Sequence, residues 1–180
     1  MDLTQAPRRV VTGHDNTGKA VAIIDAPSPH KVVREGMGAT ARLIWSTSAA
    51  PGDMSGHDDR AASHVGFGPM PGGSIMRVVD YAPAKDEAAL DPKLLAKQIG
   101  AAHADSKAWP IRHPFMHRTL TTDYAICLSG EIVMLLDDSE ITLKAGDILI
   151  QQGTNHAWVN RGKDVCRMAF VLVDARDPLA

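Results

Sequence analysis

The stretch HRTLTTDYAICLSGE (residues 117–131), followed after a short gap by LKAGDILIQQGTNHAWVN (residues 143–160), decides the fold of this 180-residue chain. In both stretches β-branched and apolar residues alternate with polar ones, and Gly, Asp or Asn interrupts them at short intervals. This pattern is typical of short antiparallel strands joined by tight turns. Many such strands in succession indicate a sandwich or a barrel, and a closed jelly-roll barrel leaves the fewest unpaired strand edges.

The same strand pattern continues on both sides of the two stretches. Predicted strands, separated by turn residues, lie at 10–12, 20–24, 39–47, 73–81, 119–128, 131–136, 141–144, 147–151, 156–159 and 166–173. Residues 51–72 hold Gly, Pro and Asp without a sustained period, which predicts a long exposed loop. The sequence therefore predicts an all-β fold.

One short helix is expected to interrupt the strands, between residues 85 and 105. Asp91 is a favourable N-cap residue, and Pro92 suits the first helical position because its missing N–H has no partner there. The chain length favours a single domain over residues 1–180. We expect this domain to comprise N-terminal strands at 8–81, a helix and loop insert at 85–112 and a barrel core at 113–175.

Several polar and aromatic side chains of the two quoted stretches are predicted to meet inside the barrel. Residues two apart in a strand share one face, and alternate residues of a barrel strand face inward. Imidazole and carboxylate groups in an apolar interior acquire pKa values suited to proton transfer. The expected catalytic residues are His117, Asp123 and His156. The expected substrate-binding residues are Thr119, Thr121 and Trp158.

The first stretch resembles the first motif of the cupin superfamily. That motif consists of Gly, five residues, His-x-His, three or four residues, Glu, six residues and Gly. This sequence has His117 as the first histidine, Thr119 in place of the second, Asp123 in place of the glutamate and Gly130 at the expected distance. Ile111 stands where the leading glycine would be, so this motif is degraded.

The second stretch is more similar to its counterpart, which runs Gly, five residues, Pro-x-Gly, two residues, His, three residues, Asn. Gly146, Gly153, His156 and Asn160 match this motif, while Gln151 replaces the proline and the first gap is one residue shorter. The resemblance implies a cupin double-stranded β-helix barrel with a small-molecule or metal site near its interior histidines.

The resemblance leaves the cofactor open. Cupins commonly bind iron, manganese, nickel, copper or zinc through three histidines and a glutamate. Thr119 removes one strong ligand, because a neutral hydroxyl is a weak donor to a divalent ion. His117, Asp123 and His156 could still supply two histidines and one carboxylate, a set suited to divalent iron. The two alternatives are a divalent metal (Fe, Mn, Zn or Ni) on these three residues and no cofactor.

The reaction is also left open, because similar motifs serve unrelated chemistries. Our leading hypothesis is a lyase or isomerase of dehydratase or decarboxylase type that acts on an oxygenated organic acid or a polyketide-like substrate. The alternatives are an iron-dependent dioxygenase and a non-catalytic small-molecule-binding barrel. The resemblance also implies a homodimer, because cupins commonly pair through their N-terminal strands.

Composition excludes several other classes of function. The formal net charge is −2, with 19 Lys and Arg against 21 Asp and Glu, and no basic stripe that would follow a phosphate backbone. No apolar run approaches the length of a membrane span, and the first residues lack the apolar segment of a signal peptide. We therefore expect a cytoplasmic protein without nucleic-acid or membrane partners. In that reducing compartment, Cys127 and Cys166 are expected to act as small apolar residues.

Overall fold

The fold was analysed in a computed structural model, which describes residues 5–62, 66–84 and 112–179. Eleven strands and one short 3₁₀ helix, Glu35–Met37, make up the regular structure of these residues. The strands are β1 (Arg8–His14), β2 (Ala20–Pro27), β3 (Lys31–Arg34), β4 (Ala39–Thr47), β5 (Ser74–Tyr81), β6 (Thr121–Ser129), β7 (Glu131–Leu135), β8 (Glu140–Lys144), β9 (Ile148–Gln152), β10 (Ala157–Val159) and β11 (Cys166–Asp174).

The strands form three antiparallel sheets. The largest has the order β3-β4-β5-β11-β6-β9, the second has the order β10-β7-β8, and β1 pairs only with β2. A common core joins the inner faces of the two larger sheets: Phe170 and Leu172 come from the first, and Ile132, Met134 and Trp158 from the second. The predicted all-β barrel, with additional N-terminal strands, is confirmed.

Alternation of burial along β6 sets the inner face of the barrel. Thr121, Asp123, Ala125 and Cys127 are buried, while the residues between them are exposed or half-buried. The predicted inward face of this strand is therefore correct. Cys127 also lies 3.9 Å, sulfur to sulfur, from Cys166 of β11, and both are free thiols within the apolar core.

A motif glycine makes the sharp turn from β6 to β7. Gly130 has a φ of 76°, and a Cβ atom built there would lie 3.0 Å from the Cα of Cys166. Only glycine adopts this left-handed conformation without strain and also leaves room for the neighbouring strand. The turn explains why β6 and β7, which carry opposite walls of the core, follow one another with a single residue between them.

One strand of the N-terminal half differs from the sequence-based expectations, the predicted loop agrees with the structure, and the predicted helix is not tested. Strand β3 was not predicted, because Pro27 and Pro29 on its N-terminal side indicated a turn. The loop predicted at 51–72 contains no strand in its described residues, 51–62 and 66–72. The short helix predicted between residues 85 and 105 lies outside the described residues. Within the described part of the chain, no helix has the length and apolar character that crossing a membrane requires.

Candidate functional site

His117 and His156 form the centre of the candidate site. Their backbones pair in an isolated antiparallel bridge, in which each N–H donates to the other residue's carbonyl oxygen at 2.9 Å. Directly opposed residues in an antiparallel pair place their side chains on the same face. The two imidazole ring centroids accordingly lie 4.5 Å apart. The convergence expected from the motif spacing is present.

Backbone carbonyls orient both imidazoles in the same way. The Nδ1 atom of His117 lies 2.8 Å from the carbonyl oxygen of Phe115, and the Nδ1 atom of His156 lies 2.9 Å from that of Thr154. A carbonyl oxygen only accepts hydrogen bonds, so these contacts assign the proton to Nδ1 in each neutral ring. The Nε2 amide of Gln151 lies 3.4 Å from Nδ1 of His156 and, being a donor itself, makes no hydrogen bond to this tautomer. The basic lone pair of each ring is then at Nε2.

The two rings line a cavity in the barrel interior. Five of the six side chains named from the sequence line it: His117, Thr119, Asp123, His156 and Trp158. The sixth, Thr121, is buried and shares a hydrogen bond of 2.8 Å with the Thr119 hydroxyl. Trp158 packs edge-on against His156, with ring centroids 5.9 Å apart, and forms part of the apolar wall.

Asp123 introduces a carboxyl group into this apolar surrounding. It is 6% exposed, and its Oδ2 atom accepts a hydrogen bond of 3.2 Å from Gln151 Nε2. Its Oδ1 atom is buried and has no hydrogen-bond partner in the part of the chain that the structure describes. Burial raises the pKa of Asp123 from 3.8 to about 6, an effect that the Thr121 hydroxyl and the Arg77 guanidinium partly oppose. Water stabilises an exposed carboxylate by hydrogen bonds. The buried Asp123 side chain lacks this hydration, and it therefore keeps its proton to a higher pH.

Burial moves the pKa of His156 in the opposite direction. The ring is 2% exposed, and loss of hydration lowers its pKa from 6.5 to about 4, although the hydrogen bond to the Thr154 carbonyl favours the protonated form. Between about pH 4 and pH 6, Asp123 is therefore a protonated acid while His156 is a neutral base. One cavity thus contains a proton donor and a proton acceptor at the same pH.

Gln151 links these two groups, although from the sequence it was noted only as a replacement for the motif proline. Its side chain is 2% exposed; Oε1 accepts the backbone N–H of Thr154 at 3.0 Å, while Nε2 donates to Asp123. It lies directly across from Asp123 in the pairing of β9 with β6. Gln151 therefore holds the carboxyl group and connects it to the turn that carries His156.

Sequence reasoning also missed two arginines in the same cavity, Arg34 and Arg77. Arg77 occupies an inward position of β5, in the buried alternate series Ile75, Arg77, Val79 and Tyr81. A charged residue among buried alternate positions could have indicated a functional site from the sequence, because arginine is rarely buried in a core without a polar partner. Burial lowers the pKa of Arg77 to about 10, and the guanidinium remains charged at neutral pH.

The described residues do not fit the three-ligand metal set. None of the histidine, cysteine, aspartate and glutamate side chains in the described ranges form a group of three that could hold a metal ion. The backbone bridge brings His117 and His156 together, whereas Asp123 is held on β6 by Gln151 and does not complete a metal-binding group with them. We therefore derive no chemical step through a metal.

Replacement of Asp123 by asparagine should stabilise the folded protein at neutral pH. Above about pH 6 the folded state contains a buried carboxylate that the unfolded state exposes to water, and a pKa raised from 3.8 to about 6 corresponds to a destabilisation of up to roughly 3 kcal/mol. Below about pH 4 both states are protonated and this cost disappears. Urea unfolding at pH 7.5 and at about pH 4 should show a gain for Asp123→Asn that shrinks with falling pH. An equal effect at both pH values would contradict the raised pKa.

Comparison with known proteins identifies a family model and several relatives that are similar to this chain. The family model described as a cupin domain matches residues 109–173. The chain is 30% identical to phomopsin biosynthesis cluster protein C' of Diaporthe leptostromiformis, over 96% of this chain and 80% of that protein. It is also 30% identical to the cupin-domain-containing oxidoreductase fogC of Aspergillus ruber, over 94% of this chain and 73% of the relative. The cupin-domain-containing oxidoreductase virC of Hypocrea virens is 29% identical, over 93% and 76% of the two chains.

Proposed function

This chain belongs to the cupin superfamily, and we propose that it is an enzyme that transfers protons on a small oxygenated organic molecule bound inside the barrel. The proposed reaction class is that of a lyase or isomerase, of dehydratase or decarboxylase type. The substrate class is an oxygenated organic acid or a polyketide-like compound. The observation that carries the proposal is the reversed order of the pKa values of Asp123 and His156 within one cavity.

In a dehydration, the neutral His156 would remove a proton from the carbon next to a substrate carbonyl through Nε2. The electron pair of that C–H bond forms the new C=C bond, and the C–O bond to the leaving hydroxyl breaks. Protonated Asp123 donates its proton to the leaving oxygen, which departs as water. Transfer of the proton from the His156 imidazolium to the Asp123 carboxylate, directly or through water, restores the starting state. In an isomerisation, the proton returns to a different carbon.

The remaining predicted residues support binding in this proposal. The hydroxyls of Thr119 and Thr121 form a hydrogen-bonded pair, and the Thr119 hydroxyl can contact a substrate oxygen from the cavity wall. Trp158 and Phe170, with ring centroids 5.4 Å apart, supply an apolar surface for the body of the substrate. The paired backbone of His117 and His156 would keep the second imidazole beside the first, where it can position the substrate or share the proton.

A second candidate, an oxidoreductase, is favoured by a specific observation. Two relatives of about 30% identity, from Aspergillus ruber and Hypocrea virens, are named cupin-domain-containing oxidoreductases. This class includes the iron-dependent dioxygenase considered from the sequence. The described residues do not supply three ligands for a metal, and for that reason the acid–base reaction is our first choice.

Product analysis distinguishes the candidates. The purified protein is incubated in deuterated buffer with a panel of hydroxy and keto organic acids while oxygen uptake is recorded. A lyase or isomerase gives a product that has lost water or carbon dioxide, or has kept its composition. Deuterium enters at carbon in a decarboxylation or an isomerisation, whereas a dehydration forms no new bond from carbon to hydrogen and is identified by the loss of water alone. A product that has lost hydrogen or gained oxygen would overturn the first proposal in favour of an oxidoreductase. A compound that raises the melting temperature without turnover would indicate a non-catalytic barrel.

The pH dependence of kcat/KM should be bell-shaped with its maximum between about pH 4 and pH 6. The rate rises as His156 loses its proton near its pKa of about 4, and falls as Asp123 ionises near its pKa of about 6. A buffer series with constant ionic strength measures the profile. A rate that continues to rise above pH 7 would show that ionised Asp123 is the active form and would reverse its assigned role.

A further inference from the structure

Arg77 carries a charge in the cavity that the proton-transfer proposal does not use. Its side chain is 6% exposed, and its buried Nε atom has no hydrogen-bond partner within residues 5–62, 66–84 and 112–179. The interactions that do hold it are a hydrogen bond from Nη2 to the carbonyl oxygen of Phe67 and a stacking contact with the Phe67 ring, 5.1 Å from guanidinium to ring centroid. Among the described residues it forms no direct ion pair with a carboxylate, and Asp123, when ionised, acts on it only through the longer-range attraction of their charges. A buried guanidinium with an unsatisfied donor is costly, and an anionic ligand would satisfy it.

Arg34 brings a second guanidinium to the same place. It also stacks on Phe67, at 5.2 Å from the ring centroid, and it lines the same cavity. Repulsion between the two guanidiniums contributes to the lowered pKa of Arg77. Two like charges that face one aromatic ring in a cavity of low polarity create a positive potential, and this potential favours an anion between them.

The side chains around the two guanidiniums indicate which body the anionic ligand can have. Arg77 on β5 pairs with Phe170 on β11, and Phe170 packs against Trp158 with ring centroids 5.4 Å apart. Leu172 and Val79 extend the apolar surface in the same cavity. A ligand with an anionic end and an apolar or aromatic body would satisfy both parts.

We propose that Arg77, assisted by Arg34, binds the carboxylate of an organic acid whose apolar body lies against Trp158 and Phe170. The planar guanidinium can donate two parallel hydrogen bonds to a carboxylate. The inference rests on the proposed function and narrows its substrate class to organic acids with an ionised carboxyl group. Since Asp123 lines the same cavity, a carboxylate held by Arg77 orients the rest of the acid toward the groups that transfer protons.

Binding of paired probes to the complete protein tests this site without turnover. Benzoate and benzamide have nearly the same shape and differ in charge, and phenylacetate and phenylacetamide form a second pair. Isothermal titration at about pH 5.5, where Asp123 is still mostly protonated and the two acids are mostly ionised, should show each acid binding at least roughly tenfold more tightly than its amide, because hydrogen bonds between two charged groups are about twice as strong as neutral ones. The preference should disappear in Arg77→Gln and be reduced in Arg34→Gln. The control Arg176→Gln, at an exposed position, should keep it.

One further variant and a check of folding keep the result interpretable. Arg77→Lys retains the charge and much of the packing but loses the guanidinium fork, so acid binding should weaken while amide binding is unchanged. Circular dichroism verifies that each variant is folded. Equal affinity for acid and amide in the parent protein, no binding of either acid, or an unchanged preference in folded Arg77→Lys and Arg77→Gln would overturn the proposal. Carboxylate selectivity that depends on Arg77 in a protein without turnover would support this site while rejecting the enzyme proposal.

Discussion

Asp123→Asn is expected to lower kcat by roughly 10²–10⁴, the range for a lost acid–base group. Asparagine keeps the shape of the side chain and can still accept the hydrogen bond from Gln151, which lies directly opposite in the adjoining strand. It has no acidic proton to donate to a leaving group. The measurement is the turnover of the best substrate from the organic-acid panel, at the pH optimum of the parent protein.

A matched control for this variant is Asp138→Asn, because Asp138 lies in the exposed turn before β8. Its activity should equal that of the parent. The upper limb of the pH profile should also vanish in Asp123→Asn, because the group that titrates near pH 6 has been removed. Full activity in a folded Asp123→Asn protein would show that the carboxyl group is only a structural partner of Gln151.

The stability of the same variant is expected to change in the opposite direction from its activity. A protein selected only for stability would not bury a carboxyl group whose Oδ1 atom has no hydrogen-bond partner. A gain in unfolding free energy together with a loss of turnover would therefore identify Asp123 as a group retained for its chemistry. A loss of both would indicate a structural role.

His117→Ala and His156→Ala are each expected to impair ligand binding or turnover in the same cavity. Turnover should fall by a factor on the order of 10² or more. Both rings point their Nε2 lone pairs away from the backbone carbonyls that hold Nδ1, and their centroids are 4.5 Å apart. Both rings line the same cavity. Removal of either should therefore impair ligand binding or turnover while the strands remain paired through the backbone bridge.

The control for the histidine variants is His14→Ala, since His14 is exposed at the end of β1. Calorimetric titration with the substrate and steady-state kinetics measure the two losses separately, and circular dichroism checks the fold. If His156→Ala loses turnover but binds as the parent does, His156 acts in the chemical step alone. If both variants bind and turn over normally, the barrel interior is structural and the active surface lies elsewhere.

Local patterns explain why much of the barrel could be predicted. The alternation along residues 121–127 repeats every two residues, and the burial of β6 follows it. The turn at Gly130 requires a positive φ, which the sequence indicates by the residue type itself. The spacing between Gly153 and His156 is also local, because both residues belong to the same short turn region before β10. Each of these features depends on a few consecutive residues.

The contents of the cavity could be predicted only in part. His117, Asp123 and His156 were found because they stand at motif positions. Gln151 was noted as a mismatch, and its bond to Asp123 follows from the register of β9 against β6. Arg34 and Arg77 belong to strands far from the motifs in sequence, and no local pattern indicates that they stack on the same phenylalanine.

The sequence by itself determined the strand class, most strand positions and the inward face of β6, because side-chain alternation and turn conformation are short-range properties of the chain. The approach of His117 to His156 was expected from the positions of the two motifs, and the tertiary structure forms it through the bridge between distant segments. Only the tertiary structure decided which charges share the cavity, since that depends on strand order and register across the sheet β3-β4-β5-β11-β6-β9. It also decided the protonation order of Asp123 and His156. Their pKa values follow from burial by residues of both sheets, and desolvation depends on everything that excludes water from a group and not on its neighbours in sequence.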